Sequence, residues 1–297
     1  MVNQSKKATL LAAASRAGKP GNQDAWAVVR NPLAGLNAVI VADGVGSHYG
    51  AAEAAAVAVE AVRRELACLE AAGPLSGPGA LLVGAQRELE SYVAQRRAEL
   101  PAGLNADNSF GTTLLCAVET AERICAAYAG NGALLHLRAN FSRFPSTLLW
   151  PWSVMNYLNP HAVPKQGRNV LYQIVSPFAP IQFTEFAFSK DERLFGDVIV
   201  ACTDGICSAD EVPAGKDPQG RVWVQAEPHL LLLLRHLSEF FRQGEYSDAV
   251  LQVSLEKYLD ELVQGGLIDD DSTVAVLVTS QALNYHLHLN DRRCAEE

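Results

Sequence analysis

Four acidic positions in this 297-residue chain share one setting, each standing where a strand-like run meets a turn. Asp24 lies in GNQDAWAVV, Asp43 ends VIVADG, Asp204 ends VIVACTDG, and Asp269-Asp270-Asp271 precede STVAVLV. In a sheet fold, such strand ends can converge on one edge. Converging carboxylates repel each other and are tolerated around cations or protons. Hard, oxygen-coordinated ions such as Mg²⁺ or Mn²⁺ suit that ligand set. An Asp-Gly pair at a strand end is also an ordinary turn, so the argument rests on recurrence and order, not on any single site. Around Asp43, the stretch VADGVGSHYG adds Gly44, Gly46, Gly50 and His48, and so surrounds the carboxylate with permissive backbone.

Composition removes several other readings. The net charge of −9 argues against a nucleic-acid or anionic-membrane binder, since both need a basic face. With 49% hydrophobic and 19% charged residues, the chain reads as an ordinary soluble globular protein able to bury a substantial core. Its six cysteines (68, 116, 125, 202, 207, 294) form no CxxC pair, which predicts reduced, mostly buried thiols in a cytoplasmic protein and no structural zinc. The start, KKATLLAAASRAG, imitates a signal peptide, but its apolar part (Ala8–Ala14) is at the bottom of the usual length. No apolar run, Leu230–Leu234 included, approaches a membrane span.

The elements that must position the acids follow from periodicity. Strands are expected at 8–14, 25–30, 37–42, 112–118, 123–129, 133–138, 181–188, 197–202 and 273–279. Helices are expected at 51–72, ending at Gly73-Pro74, and at 79–99, 228–243 and 247–264. Strands in meanders with helices in pairs predict a layered α+β fold, not a doubly wound sheet. Residues 139–180, rich in proline and carrying Trp150-Pro151-Trp152, read as an ordered flap. One domain is expected over 1–280, with a C-terminal tail at 281–297.

The ordered pieces GNQDAW (21–26), VADGVGSHYGAAEAA (41–55), SFGTTL (109–114), YAGNGALLHLR (128–138), FGDVIVACTDGI (195–206) and DDDSTVAVLV (269–278) carry a resemblance. Together they make the chain similar to the metal-dependent, type 2C serine/threonine protein phosphatases, bacterial members especially. The resemblance implies a four-layer αββα sandwich of two antiparallel sheets flanked by helix pairs, with two Mn²⁺ or Mg²⁺ ions in a cleft at one end. It carries the bridging role onto Asp43, with the Gly44 carbonyl as a further ligand. Asp204 and Asp270 fall at the other direct carboxylate positions, and Asp24 at a position that holds metal-bound water. Water bridging two cations becomes hydroxide near neutral pH. The implied reaction is its in-line attack on a phosphoserine or phosphothreonine, with no covalent phosphoenzyme. The implied partner is a phosphoprotein targeted by a serine/threonine kinase.

The chain also departs from that pattern. Gln23 stands where many members carry glutamate, removing one negative charge. Lys19 stands where an arginine usually grips substrate phosphate, and a lysine offers a point charge without the bidentate fork; Arg16 is a nearby alternative. Val45 replaces the histidine of animal members, and His48 reads as a loop-fixing residue. Asn131 and Ser208 replace two acids linked to a third metal, which predicts slow turnover or a need for high Mn²⁺. These departures leave a second reading open: a phosphatase-fold regulatory or binding module with little turnover.

Overall fold

The computed structural model describes residues 7–70, 77–101, 103–105, 108–141, 153–165, 168–207, 214–216, 222–224 and 228–296. Fourteen strands form among the described residues, and the central ones Leu114–Glu119, Val198–Cys202 and Ser272–Val278 are near-continuous apolar runs buried on both faces, as strands between two layers must be. In chain order these are β1 (Leu10–Arg16), β2 (Asp24–Asn31), β3 (Leu36–Asp43), β4 (Leu114–Glu119), β5 (Arg123–Ala129), β6 (Ala133–Arg138) and β7 (Ser153–Asn156). There follow β8 (Ala162–Lys165), β9 (Arg168–Leu171), β10 (Thr184–Ser189), β11 (Val198–Cys202), β12 (Ala214–Lys216), β13 (Val222–Val224) and β14 (Ser272–Val278). The helices are α1 (Ala51–Cys68), α2 (Pro78–Gln95), α3 (Pro228–Gln243), α4 (Asp248–Gln264) and α5 (Ser280–Glu296).

Two five-stranded sheets result, ordered β1-β14-β11-β6-β7 and β10-β5-β4-β3-β2, with every described pairing antiparallel. Period-two alternation sorts the side chains into three buried layers. Leu11, Ala13, Val39, Val41, Ala275 and Leu277 meet between the sheets. Their neighbours Leu10, Ala12, Val274 and Val276 face α3 and α4 on one side. Ala38, Ile40 and Ala42 pack on α1 and α2 on the other. Alanines 54, 55 and 58 line the buried face of α1, where small side chains let helix and sheet approach closely. The α+β αββα sandwich expected from the sequence is the architecture observed.

The differences are local. The apolar start Leu10–Ala14 is a core strand. Helix α1 stops at Cys68, short of Gly73-Pro74, because Leu69 turns to extended backbone. The flap holds more regular structure than its prolines suggest: β7 joins a main sheet and β8 pairs with β9 as a hairpin. Trp150 and Trp152 lie outside the described residues. The stretch expected as a tail is helix α5, which buries Ala282 and Leu283 in the core. His286 stacks on Phe241 at 4.0 Å and accepts from the Phe141 amide through Nε2. Of the cysteines, 116, 125, 202 and 207 are buried, and Cys68 is exposed. No helix among the described residues is long and apolar enough to cross a membrane.

Candidate active site

Strand register gathers the acids at one end of the sandwich. Asp24 pairs directly with Asp43 across β2 and β3. The carboxyl end of β11, just before Asp204, lies between Ala133 of β6 and Val274 of β14. Asp270 precedes β14, whose first residue, Ser272, pairs with Arg16 at the end of β1. Antiparallel order with matched strand ends thus brings together segments up to 246 residues apart, from Asp24 to Asp270.

Hydroxyl side chains fix these ends. Asp43 is held by its own backbone: its amide donates to Thr113 Oγ1 at 2.9 Å, and its carbonyl accepts from the Thr113 amide and Thr112 Oγ1 at 2.8 and 2.9 Å. Its carboxylate lies against those of Asp24 and Asp204. Thr203 Oγ1 donates to Asp24 Oδ2 at 2.8 Å and ties one sheet to the other. Asp271 is nearly fully buried, its carboxylate accepting the amides of Gly18 and Gln23 at 2.9 and 2.8 Å. It therefore pins the loop before β2, and Asp270 faces outward, paired with Lys19 Nζ at 2.8 Å. Gly44 is required where it stands, since a Cβ there would lie 2.4 Å from the Ala51 carbonyl oxygen. Gly50, at φ 69°, starts α1 against the Phe110 ring.

Burial and mutual repulsion make the carboxylates basic. Burial pushes Asp24 up to about 6, against the lowering effect of the Thr273 and Thr203 hydrogen bonds. Burial, then the charges of Asp204 and Asp24, hold Asp43 well above the ordinary aspartate range. Asp204 is raised by burial, with the amide of Asn131 pulling the other way. Lys19 is raised by its hydrogen bond to Asp270. Two buried oxygens, Asp24 Oδ1 and Asn131 Oδ1, have no hydrogen-bond donor. Orphaned acceptors beside mutually repelling carboxylates fit a hard, oxygen-coordinated cation. Among the described residues, no three His, Cys, Asp or Glu side chains close into a ready ligand cage. The fit is therefore one of donor type and charge, and does not extend to a finished coordination sphere.

The family model described as Protein phosphatase 2C matches residues 12–153, a stretch that includes Asp24, Asp43 and Asn131. No curated protein matches the sequence. Among solved structures, the S. agalactiae serine/threonine phosphatase superposes with TM-score 0.60 at 16% identity, over 91% of this chain and 99% of that one. The Mycobacterium tuberculosis serine/threonine phosphatase PstP/Ppp gives 0.57 at 17%, covering 91% and 98%. PppA from Pseudomonas aeruginosa gives 0.55 at 20%, covering 91% and 97%. The resemblance to the type 2C phosphatases holds. Their fold runs through nearly the whole chain, and their family model matches residues 12–153, a little under half of it.

Within the type 2C frame, the departures have visible consequences. Gln23 offers its carbonyl to the Gly44 amide at 3.1 Å, and its side-chain oxygen lies beside Gly46. Asn131 donates to Asp204 Oδ2 where an acid would repel it. The His48 amide closes a turn onto the Val45 carbonyl at 2.7 Å, and its ring packs against Gly111. Ser208 lies outside the described residues. The threonines 112, 113, 203 and 273, which orient the acids, went unassigned in the sequence reading. The repeated hydroxyls of SFGTTL, CTDG and DDST were the available signal.

Proposed function

We propose that this protein is a metal-dependent serine/threonine phosphoprotein phosphatase acting as one domain, to which helix α5 belongs as well as the expected residues 1–280. The observation that carries the proposal is the convergence of half-buried Asp24, Asp43 and Asp204, each raised above the ordinary aspartate range, at one end of the sandwich. Asp43, Asp204, Asp270 and the Gly44 carbonyl are the proposed direct ligands of two Mn²⁺ or Mg²⁺ ions, with Asp24 in an outer position. Bound there, the cations would supply an ionised attacking water and neutralise charge on the phosphoryl oxygens. The chain's own residues do the rest. Thr112 and Thr113 keep the Asp43 backbone rigid while its carboxylate lies against those of Asp24 and Asp204, and Thr203 orients Asp24. Lys19, which is exposed, turns from Asp270 to the substrate phosphate as a point charge. The partner is a phosphoserine or phosphothreonine protein, and the setting is cytoplasmic signalling.

Hydrolysis of an aryl phosphate with Mn²⁺ tests this reading when repeated with EDTA and with Asp43→Ala. Loss in both is expected, by at least about 100-fold for the substitution, as for removal of a charge-stabilising group. Activity indifferent to EDTA would sink it. A low-turnover regulatory module is the second reading, favoured by the incomplete ligand cage and by Asn131 in an acid's place. Tight Mn²⁺ binding without turnover on any phosphopeptide would favour that reading.

A further inference from the structure

Among the described residues between β6 and β10, Val175 and His161 reach the candidate site. Val175 exchanges backbone hydrogen bonds with Thr112 at 2.8 and 3.1 Å, behind the Asp43 carbonyl. His161 makes the second contact. Its amide donates to the Gly130 carbonyl at 2.9 Å, and the Gly130 amide donates back to its Nδ1 at 3.3 Å. Since Nδ1 accepts, the ring proton stands on Nε2, 3.0 Å from Thr184 Oγ1. The ring stacks on Tyr128 with centroids 4.8 Å apart, and the Tyr128 hydroxyl is bonded to Asn159.

Gly130 opens the turn that carries Asn131. Both Gly130 and Gly132 adopt positive φ, 108° and 104°. A Cβ on Gly130 would lie 2.6 Å from the Thr113 side chain, and one on Gly132 2.4 Å from the Cys202 carbonyl oxygen. The turn is thus wedged between the end of β4 and the end of β11. At its apex the Asn131 amide donates to Asp204 Oδ2, and Asn131 Oδ1 is buried without a donor.

Resting on the phosphatase reading above, we propose that His161 is a positioning residue of the active site. By clamping Gly130, it orients Asn131 and, through it, the carboxylate of Asp204. The amide at 131 steadies Asp204 without adding a negative charge to a crowded cluster. His161 itself need touch neither substrate nor metal. Burial lowers its basicity, in keeping with the neutral tautomer that the clamp uses.

His161→Phe keeps the stacking and the backbone bond but deletes the Nδ1 acceptor, whereas His161→Asn keeps an acceptor close to that place. Calorimetric Mn²⁺ titration, kcat and KM on a phosphothreonine peptide, and thermal melting are measured for both. His161→Phe is expected to weaken Mn²⁺ binding roughly 10-fold, the usual size for an outer partner of a ligand. It should lower kcat with KM little changed, and His161→Asn should recover most of both losses. Asn131→Ala should give the same losses, and combining it with His161→Phe should add little. The proposal is overturned if His161→Phe binds Mn²⁺ and turns over as the wild type does. It is also overturned if Asn is no better than Phe, or if the losses at 131 and 161 simply add. Should His161→Phe fail to fold, Asn131→Ala with His161→Asn decides by the same readouts. A wild type that binds Mn²⁺ but hydrolyses nothing would refute the phosphatase reading alone, and the titrations would still judge the clamp. A wild type that binds no Mn²⁺ refutes both.

Discussion

Asp24 shows how the sandwich end holds charge that it does not welcome. Its folded pKa of about 6 lies above the ordinary 3.8, so the native state binds the proton more tightly than the unfolded chain does. The resulting stability is fully present below the unfolded value and is lost as pH rises through about 6. In EDTA, Asp24→Asn should therefore be more stable than the wild type at pH 7.5, by about 3 kcal/mol. The gap should shrink to roughly half by pH 5 and close only as pH falls below about 4, and urea unfolding across that range checks this; a gap that ignores pH would assign the effect elsewhere. Lys19 makes a different prediction. Its pair with Asp270 is exposed on both sides, so Lys19→Ala should leave stability within about 0.5 kcal/mol while KM for a phosphopeptide rises several-fold. Steady-state kinetics beside a melt separates the two. At this scale the positions of the acids were legible in their strand-end setting. The division of labour between Asp270 and Asp271 was not, because identical neighbours differ only in the face that strand register gives them. The Thr112–Asp43 and Thr203–Asp24 contacts join residues 69 and 179 positions apart, beyond the reach of any local pattern.

Nine of the fourteen described strands and four of the helices announced themselves through apolar runs and alanine-rich, proline-free stretches. Helix α5 did not. Its sequence, SQALNYHLHLNDRRCAE, has sparse apolar positions, and its anchor is an imidazole stacked between aromatic rings. Burial lowers His286 to about 4, so it docks uncharged. Its contribution is complete above the unfolded histidine pKa and declines as pH falls towards 4. If α5 belongs to the core, Leu283→Ala should cost about 2–4 kcal/mol, the range for a fully buried leucine. A loss below about 0.5 kcal/mol in urea unfolding would return the segment to the status of a tail. The flap's strands escaped notice for a related reason: four-residue strands among prolines leave too little alternation to read.

For the molecule as a whole, the layering survives at 16–20% identity to the solved phosphatases named above because it depends on alternation and strand order, which many sequences satisfy. Chemistry is less forgiving, since it depends on a few oxygens at one end of the sandwich. On the proposed function, catalysis depends on cations held by those oxygens. The direct test is phosphate release from a phosphothreonine peptide as Mn²⁺ is titrated in, chelated with EDTA, and then restored. Release should rise with Mn²⁺, vanish on chelation and return with the metal. Release that persists through chelation, or that never begins at any Mn²⁺ concentration, would contradict the account.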